Sequence, residues 1–166
     1  YSSCVAMDTV ERFLNNETRC TFIEPNTERL DQLLRLGDST SYDIQERYVQ
    51  SVDLSVFEQL EANDILFVDG SHVSKVDSDV NHVVFEILPR LKPGVLVHFH
   101  DIMHPFEYPK NALERNLWWN EAYLLRAFLT FNKSFQIEFF ATHLAATHAA
   151  WIREHMPLAA KNFGGG

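Results

Sequence analysis

Two short apolar runs end abruptly in chargeable groups. Ile65-Leu66-Phe67-Val68 leads into Asp69-Gly70-Ser71-His72, and Val95-Leu96-Val97 leads into His98-Phe99-His100-Asp101. Runs of this length, rich in Val, Ile and Phe, read as strands buried on both faces, the habit of parallel sheets. In open parallel sheets the ligand sits just beyond the carboxyl ends of the strands. Two neighbouring strands of this kind would deliver Asp69, His72, His100 and Asp101 to one crevice.

The flanking sequence supports such a sheet. Val5, Met7, Val10, Phe13 and Leu14 predict a helix over 2–15, stopped by Asn15-Asn16. Residues 20–24 read as a strand broken by Pro25-Asn26. Thr27 is placed to cap a helix to residue 36, with Leu30, Leu33 and Leu34 as its stripe and Gly37 as its C-cap. Residues 44–49 form a weaker strand pattern and 52–60 a short helix or loop. The periodicity of Val76, Val80, Val83, Val84, Ile87, Leu88 and Leu91 predicts a helix over 73–91, and Pro93-Gly94 turns it into a strand over 95–99. Residues 102–112, with Pro105 and Pro109, suit a loop over the same rim, a candidate lid. A helix over 113–129, a strand over 135–140 and a helical or irregular stretch over 142–156 follow. This alternation implies a single α/β domain over 1–166: a doubly wound, mostly parallel sheet with helices on both faces and right-handed crossovers.

Composition excludes several classes of partner. The net charge is −9 and there is no Lys/Arg run, which argues against a nucleic-acid or anionic-membrane surface. No apolar run approaches the roughly 18–20 residues of a membrane span. Cys4 and Cys20 lack metal-ligand spacing and read as free thiols of a cytoplasmic protein. The chain opens at Tyr1 and closes on Gly164-Gly165-Gly166, which reads as a segment of something longer. A sheet edge left open at such a boundary would favour a homo-oligomer.

Glu24 ends a strand in a βα unit, where a carboxylate can accept hydrogen bonds from a ribose diol. The plainer reading is a solvated carboxylate beside a helix start. Asp69 and Asp101 at adjacent strand ends could hold Mg²⁺ or a cofactor amino group, or Asp69 could simply cap the following helix. His72, His98, His100 and His104 cluster near these carboxylates. Imidazole suits proton transfer near neutral pH, and with Asp101 the histidines could also hold Zn²⁺ or Fe²⁺. Alternation puts His98 and His100 on one strand face and Phe99 on the other. Trp118, Trp119 and Tyr123 make an aromatic helix face, either packing on the sheet or walling an acceptor pocket.

Taken in order, Phe22-Ile23-Glu24-Pro25, Phe67-Val68-Asp69-Gly70-Ser71-His72, Leu88-Pro89-Arg90-Leu91-Lys92-Pro93-Gly94 and His98-Phe99-His100-Asp101-Ile102 resemble the class I S-adenosylmethionine-dependent methyltransferases. The resemblance is to a small-molecule O-methyltransferase-like group. Asn120-Glu121-Ala122-Tyr123-Leu124-Leu125 and Phe135-Gln136-Ile137 also fit, so it runs to about residue 143. It implies a Rossmann-like fold that starts just after the family's glycine-rich loop and stops before its last strand. It implies S-adenosylmethionine as cofactor, with Tyr1 and Ser2 beside it, Glu24 on the ribose, Gln50 and Ser51 near the adenine, and Asp69 facing the methionine end or a Mg²⁺ ion shared with Asp101. His72, His100 and Asp101 would line the site of a small-molecule acceptor, with His72 or His100 as base for a hydroxyl. Three other readings stand beside it: a metal-dependent hydrolase or oxygenase built on His98, His100, Asp101 and His104, a degenerate non-catalytic domain, and a nicotinamide-dependent Rossmann enzyme.

Overall fold

The computed structural model describes residues 1–161. The terminal Gly164-Gly165-Gly166 lies outside them. The chain divides into two compact units, Tyr1–Asp53 and Leu54–Gly166.

The first unit opens with α1 (Ser2–Phe13), which buries Met7 and Val10. Asn15 and Asn16 then take positive φ, so the expected stop works by a left-handed turn. β1 (Thr21–Ile23) pairs in parallel with β2 (Asp43–Gln45), with Phe22 opposite Ile44. Between them lie α2 (Glu28–Asp31) and α3 (Asp38–Ser41). The helix expected to residue 36 is therefore a single turn. The Thr27 hydroxyl donates to Asp31 Oδ2 at 2.9 Å and caps no backbone N–H. Leu33 and Leu36 are exposed, so the stripe beyond Leu30 buries too little to sustain a longer helix. A 3₁₀ turn, Val49–Ser51, follows β2.

The second unit holds α4 (Ser55–Glu58), β3 (Ile65–Val68) and β4 (Leu96–Phe99), the two strands parallel with Phe67 opposite His98. The segment joining them is a compound helix: α5 (Asp79–His82), a π turn (Val83–Ile87) and a 3₁₀ turn (Leu88–Arg90). It begins six residues later than its apolar period suggests, because Ser78 is its cap, accepting from Asn81 N at 3.2 Å. Val80, Val83, Val84, Ile87 and Leu88 are buried along it.

α6 (Asn111–Glu114) and α7 (Glu121–Thr130) replace the expected continuous helix over 113–129. Asn116, at φ 56°, breaks it. Ile102, Tyr108, Ala112, Ala122 and Leu125 form a second core cluster, on which Phe99, Phe106 and Trp119 pack. The 102–112 stretch is thus anchored at Ile102 and Tyr108. Residues 135–140 form no strand, and α8 (Ala141–Thr147), α9 (Ala149–His155) and a 3₁₀ turn (Ala159–Lys161) complete the described chain.

The parallel α/β pattern is present, but among the described residues it consists of two two-stranded sheets and not one continuous sheet. Nor are β3 and β4 buried on both faces. Leu66, Val68, Val97 and Phe99 are half-buried, while Ile65, Phe67, Leu96 and His98 are exposed. An uninterrupted apolar run cannot distinguish these cases, since it lacks the polar alternation that would mark an open face.

Candidate functional site

The loop after β3 is shaped by one carboxylate. Asp79 Oδ2 accepts from Ser71 N at 2.6 Å and Oδ1 from the Ser71 hydroxyl at 2.5 Å. A Cβ on Gly70 would stand 2.2 Å from Asp79 Oδ2, so only glycine admits this approach. These bonds tie the loop between Asp69 and His72 to the start of α5.

His72 is buried, 5% exposed, and takes a left-handed backbone at φ 58°. Its carbonyl accepts from Asn120 N at 2.9 Å and Glu121 N at 3.2 Å. Its Nδ1 lies 2.8 Å from Glu121 Oε2. Trp119 lies against the ring, with centroids 4.5 Å apart. Nε2 faces the rim, 3.8 Å from Asp69 Oδ1 and 4.0 Å from Asp101 Oδ2. Burial by itself would disfavour the charged imidazole. The Glu121 contact and charge, then Asp101 and Asp69, outweigh it and raise the His72 pKa above its ordinary value.

The loop after β4 contributes the other side. Asp101, also left-handed at φ 57°, lies 3.6 Å from His100 Nε2 through Oδ1. Left-handed residues other than glycine are uncommon, and strained positions of this kind gather at functional sites. His98 and His100 share a face as expected, ring centroids 6.1 Å apart, and Phe67 stacks on His98 at 4.6 Å. Although His98 is exposed overall, partial desolvation of its ring under the Phe67 stack and then the neighbouring His100 lower its pKa, with Asp69 opposing. His98 is thereby biased toward the neutral ring within its stack. His104 sits elsewhere, against His143 at 4.4 Å and Phe140 at 5.5 Å. Burial pushes the Tyr108 hydroxyl up to about 12, against the Ala122 N–H it accepts, so it stays protonated at neutral pH.

Among the described residues no group of three or more His, Cys, Asp or Glu could hold a metal ion. Neither the Mg²⁺ expectation at Asp69 and Asp101 nor the His98/His100/Asp101/His104 centre finds support in this geometry.

The remaining candidates belong to the first unit. Glu24 is exposed at the carboxyl end of β1, its backbone N–H donating to Gln45 O and its Oε1 accepting from Asn26 N at 3.2 Å. A hollow of about 670 Å³ opens beside this turn, lined by Pro25, Asn26, Thr27, Glu28, Asp31, Glu46 and Tyr48. Gln50 and Ser51 lie in the 3₁₀ turn after β2, where the Ser51 hydroxyl donates to Tyr48 O at 2.7 Å. Tyr1 precedes α1 with the Arg29 guanidinium 4.3 Å over its ring, and Ser2 is the first residue of that helix.

Sequence reasoning gave no role to Asp79, Asn120 or Glu121. For Glu121 a faint signal existed, a lone acid at a helix start after two tryptophans; for Asp79 there was none beyond its acidity.

Each unit carries a parallel strand pair followed by chargeable residues, an α/β arrangement. A family model described as a methyltransferase domain matches residues 1–102, and the chain belongs to that family. The family brings with it a Rossmann-like fold and S-adenosylmethionine as methyl donor. No curated protein and no solved structure matches the chain. No helix among the described residues is long and apolar enough to cross a membrane.

Proposed function

We propose that this protein methylates a hydroxyl oxygen of a small molecule, with His72 as the base. The observation that carries the reading is the His72 imidazole, engaged at Nδ1 by Glu121 and turned at Nε2 to a rim bearing two carboxylates. The preference for oxygen rests on the resemblance of residues 67–72 and 98–102 to the O-methyltransferase-like group.

Glu24 suits the cofactor's ribose: its carboxylate is exposed, and an ionised carboxylate has capacity for a diol beyond the one bond from Asn26 N. Gln50 and Ser51 would serve the adenine, and Tyr1 and Ser2 the methionine end. When bound, S-adenosylmethionine would supply an activated sulfonium methyl that passes to the acceptor oxygen, with S-adenosylhomocysteine as the leaving group. His72 Nε2 takes the hydroxyl proton as that oxygen is methylated. A base whose pKa is brought toward the working pH is most effective, and the carboxylates around His72 move it that way. Asp69 and Asp101 stabilise the imidazolium that results. His100 orients Asp101, and the 102–112 loop frames the acceptor.

The test is conversion of S-adenosylmethionine to S-adenosylhomocysteine with a panel of catechols, phenols, sugars and hydroxy acids. Turnover with at least one hydroxyl compound, lost in His72→Gln, is the expected result. Turnover only with amines, or undiminished turnover in His72→Gln, would overturn the reading.

A further inference from the structure

Glu121 lies beyond the residues the family model matches, yet it makes the shortest polar contact of the His72 ring, 2.8 Å. It is 1% exposed, and its Oε1 has no hydrogen-bond partner. A carboxylate removed from water to this degree is costly unless its partners satisfy it. Its side-chain partner is the His72 ring; an apolar residue here would spare the fold a buried carboxylate but leave His72 Nδ1 unpaired. The arrangement therefore serves the imidazole more than the fold.

An ionised carboxylate only accepts hydrogen bonds. Opposite an ionised Glu121, Nδ1 carries the proton in both the neutral and the charged ring. In the neutral ring this leaves the lone pair on Nε2, the nitrogen that faces Asp69 and Asp101. The hydrogen bond on one ring nitrogen sets what the other can do.

The main chain is held by the same two residues. Asn120 N and Glu121 N both donate to His72 O. Asn120 Oδ1 accepts from Ser74 N at 2.6 Å, and Asn120 Nδ2 donates to Ser74 O at 3.2 Å. The start of α7 thus fixes both the left-handed turn at His72 and its ring.

We propose that Glu121 is a positioning residue for methyl transfer, locking His72 in the Nδ1–H tautomer so that Nε2 presents its lone pair to the acceptor hydroxyl. This rests on the reading of His72 as the base. Asn120 supports it by clamping the loop backbone.

The test is long-range ¹⁵N–¹H spectroscopy of the histidine-labelled full chain, with His72→Gln to assign the signal, alongside turnover with whichever hydroxyl compound the panel identifies. The expected result is an Nδ1–H tautomer for neutral His72, converted to a mixture or to Nε2–H in Glu121→Gln. Turnover in that variant should fall at least about tenfold, a share of what a general base supplies. S-adenosylhomocysteine affinity should be unchanged. An Nε2–H tautomer in the unaltered protein would overturn the proposal even if Glu121→Gln fails to fold. So would a Glu121→Gln variant that melts earlier but keeps tautomer and turnover, since that is a structural role only. If His72→Gln turns over normally, or if no hydroxyl compound turns over, the base assignment falls and takes the catalytic role of Glu121 with it, and the spectrum then reports a static contact.

Discussion

Glu24 and Glu121 are the same side chain in opposite surroundings. Glu24 stands in water at the end of β1, bonded to its own turn through Asn26 N. Glu121 is 1% exposed and depends on one imidazole. The first is free to meet a ligand and adds little to the fold. The second shapes a neighbouring ring and costs the fold something if its partner is lost. In the proposed reading the exposed carboxylate binds and the buried one orients.

This contrast can be broken or sharpened by substitution. The largest effect belongs to His72→Gln, which removes the ring that Glu121 engages. Turnover should fall roughly 10²- to 10⁴-fold, measured as S-adenosylhomocysteine formed. Next is Ile87→Ala, in the compound helix that carries Asp79 toward the Asp69–His72 loop. Ile87 is fully buried, so chemical denaturation should show a loss of about 2–5 kcal/mol.

Glu121→Ala comes third. It strands the buried His72 Nδ1, and denaturation should register about 1–3 kcal/mol. Glu24→Ala should do the reverse of Glu121→Ala: stability within about 0.5 kcal/mol of the unaltered chain, but S-adenosylhomocysteine bound about tenfold more weakly, or 1.4 kcal/mol. If the two variants changed the same observable, the contrast would be wrong.

The smallest effect is on pH dependence. His72 has a raised pKa in the folded protein. Its stabilising contribution is therefore complete below the unfolded value of about 6.5 and is lost as pH rises through the higher folded value. The melting temperature should decline across that window, and His72→Gln should flatten the decline. The rising limb of the turnover profile should lie above the ordinary imidazole range.

Much of this was legible in the sequence, for a physical reason. Strand ends are punctuated locally: apolar residues stop and Asp69, His72, His100 and Asp101 begin, so the rim could be read without tertiary knowledge. The shared face of His98 and His100 followed from a two-residue period. Lengths were less legible. The apolar stripe over 73–91 is real, but Ser78 and not the stripe sets the helix start. The leucines over 30–36 look helical, yet Leu33 and Leu36 find nothing to bury against. Glu121 was illegible as a partner because it lies 49 residues from His72, and nothing in local pattern announces a contact at that range. Asp79 needed the loop geometry, in which Gly70 leaves room for a carboxylate.

The most direct measurement is calorimetric titration of S-adenosylhomocysteine into the purified protein, repeated with Glu24→Ala and His72→Gln. Saturable binding is expected, weakened about tenfold by Glu24→Ala and left intact by His72→Gln. Absence of saturable binding, or binding indifferent to Glu24, would contradict the proposed reading.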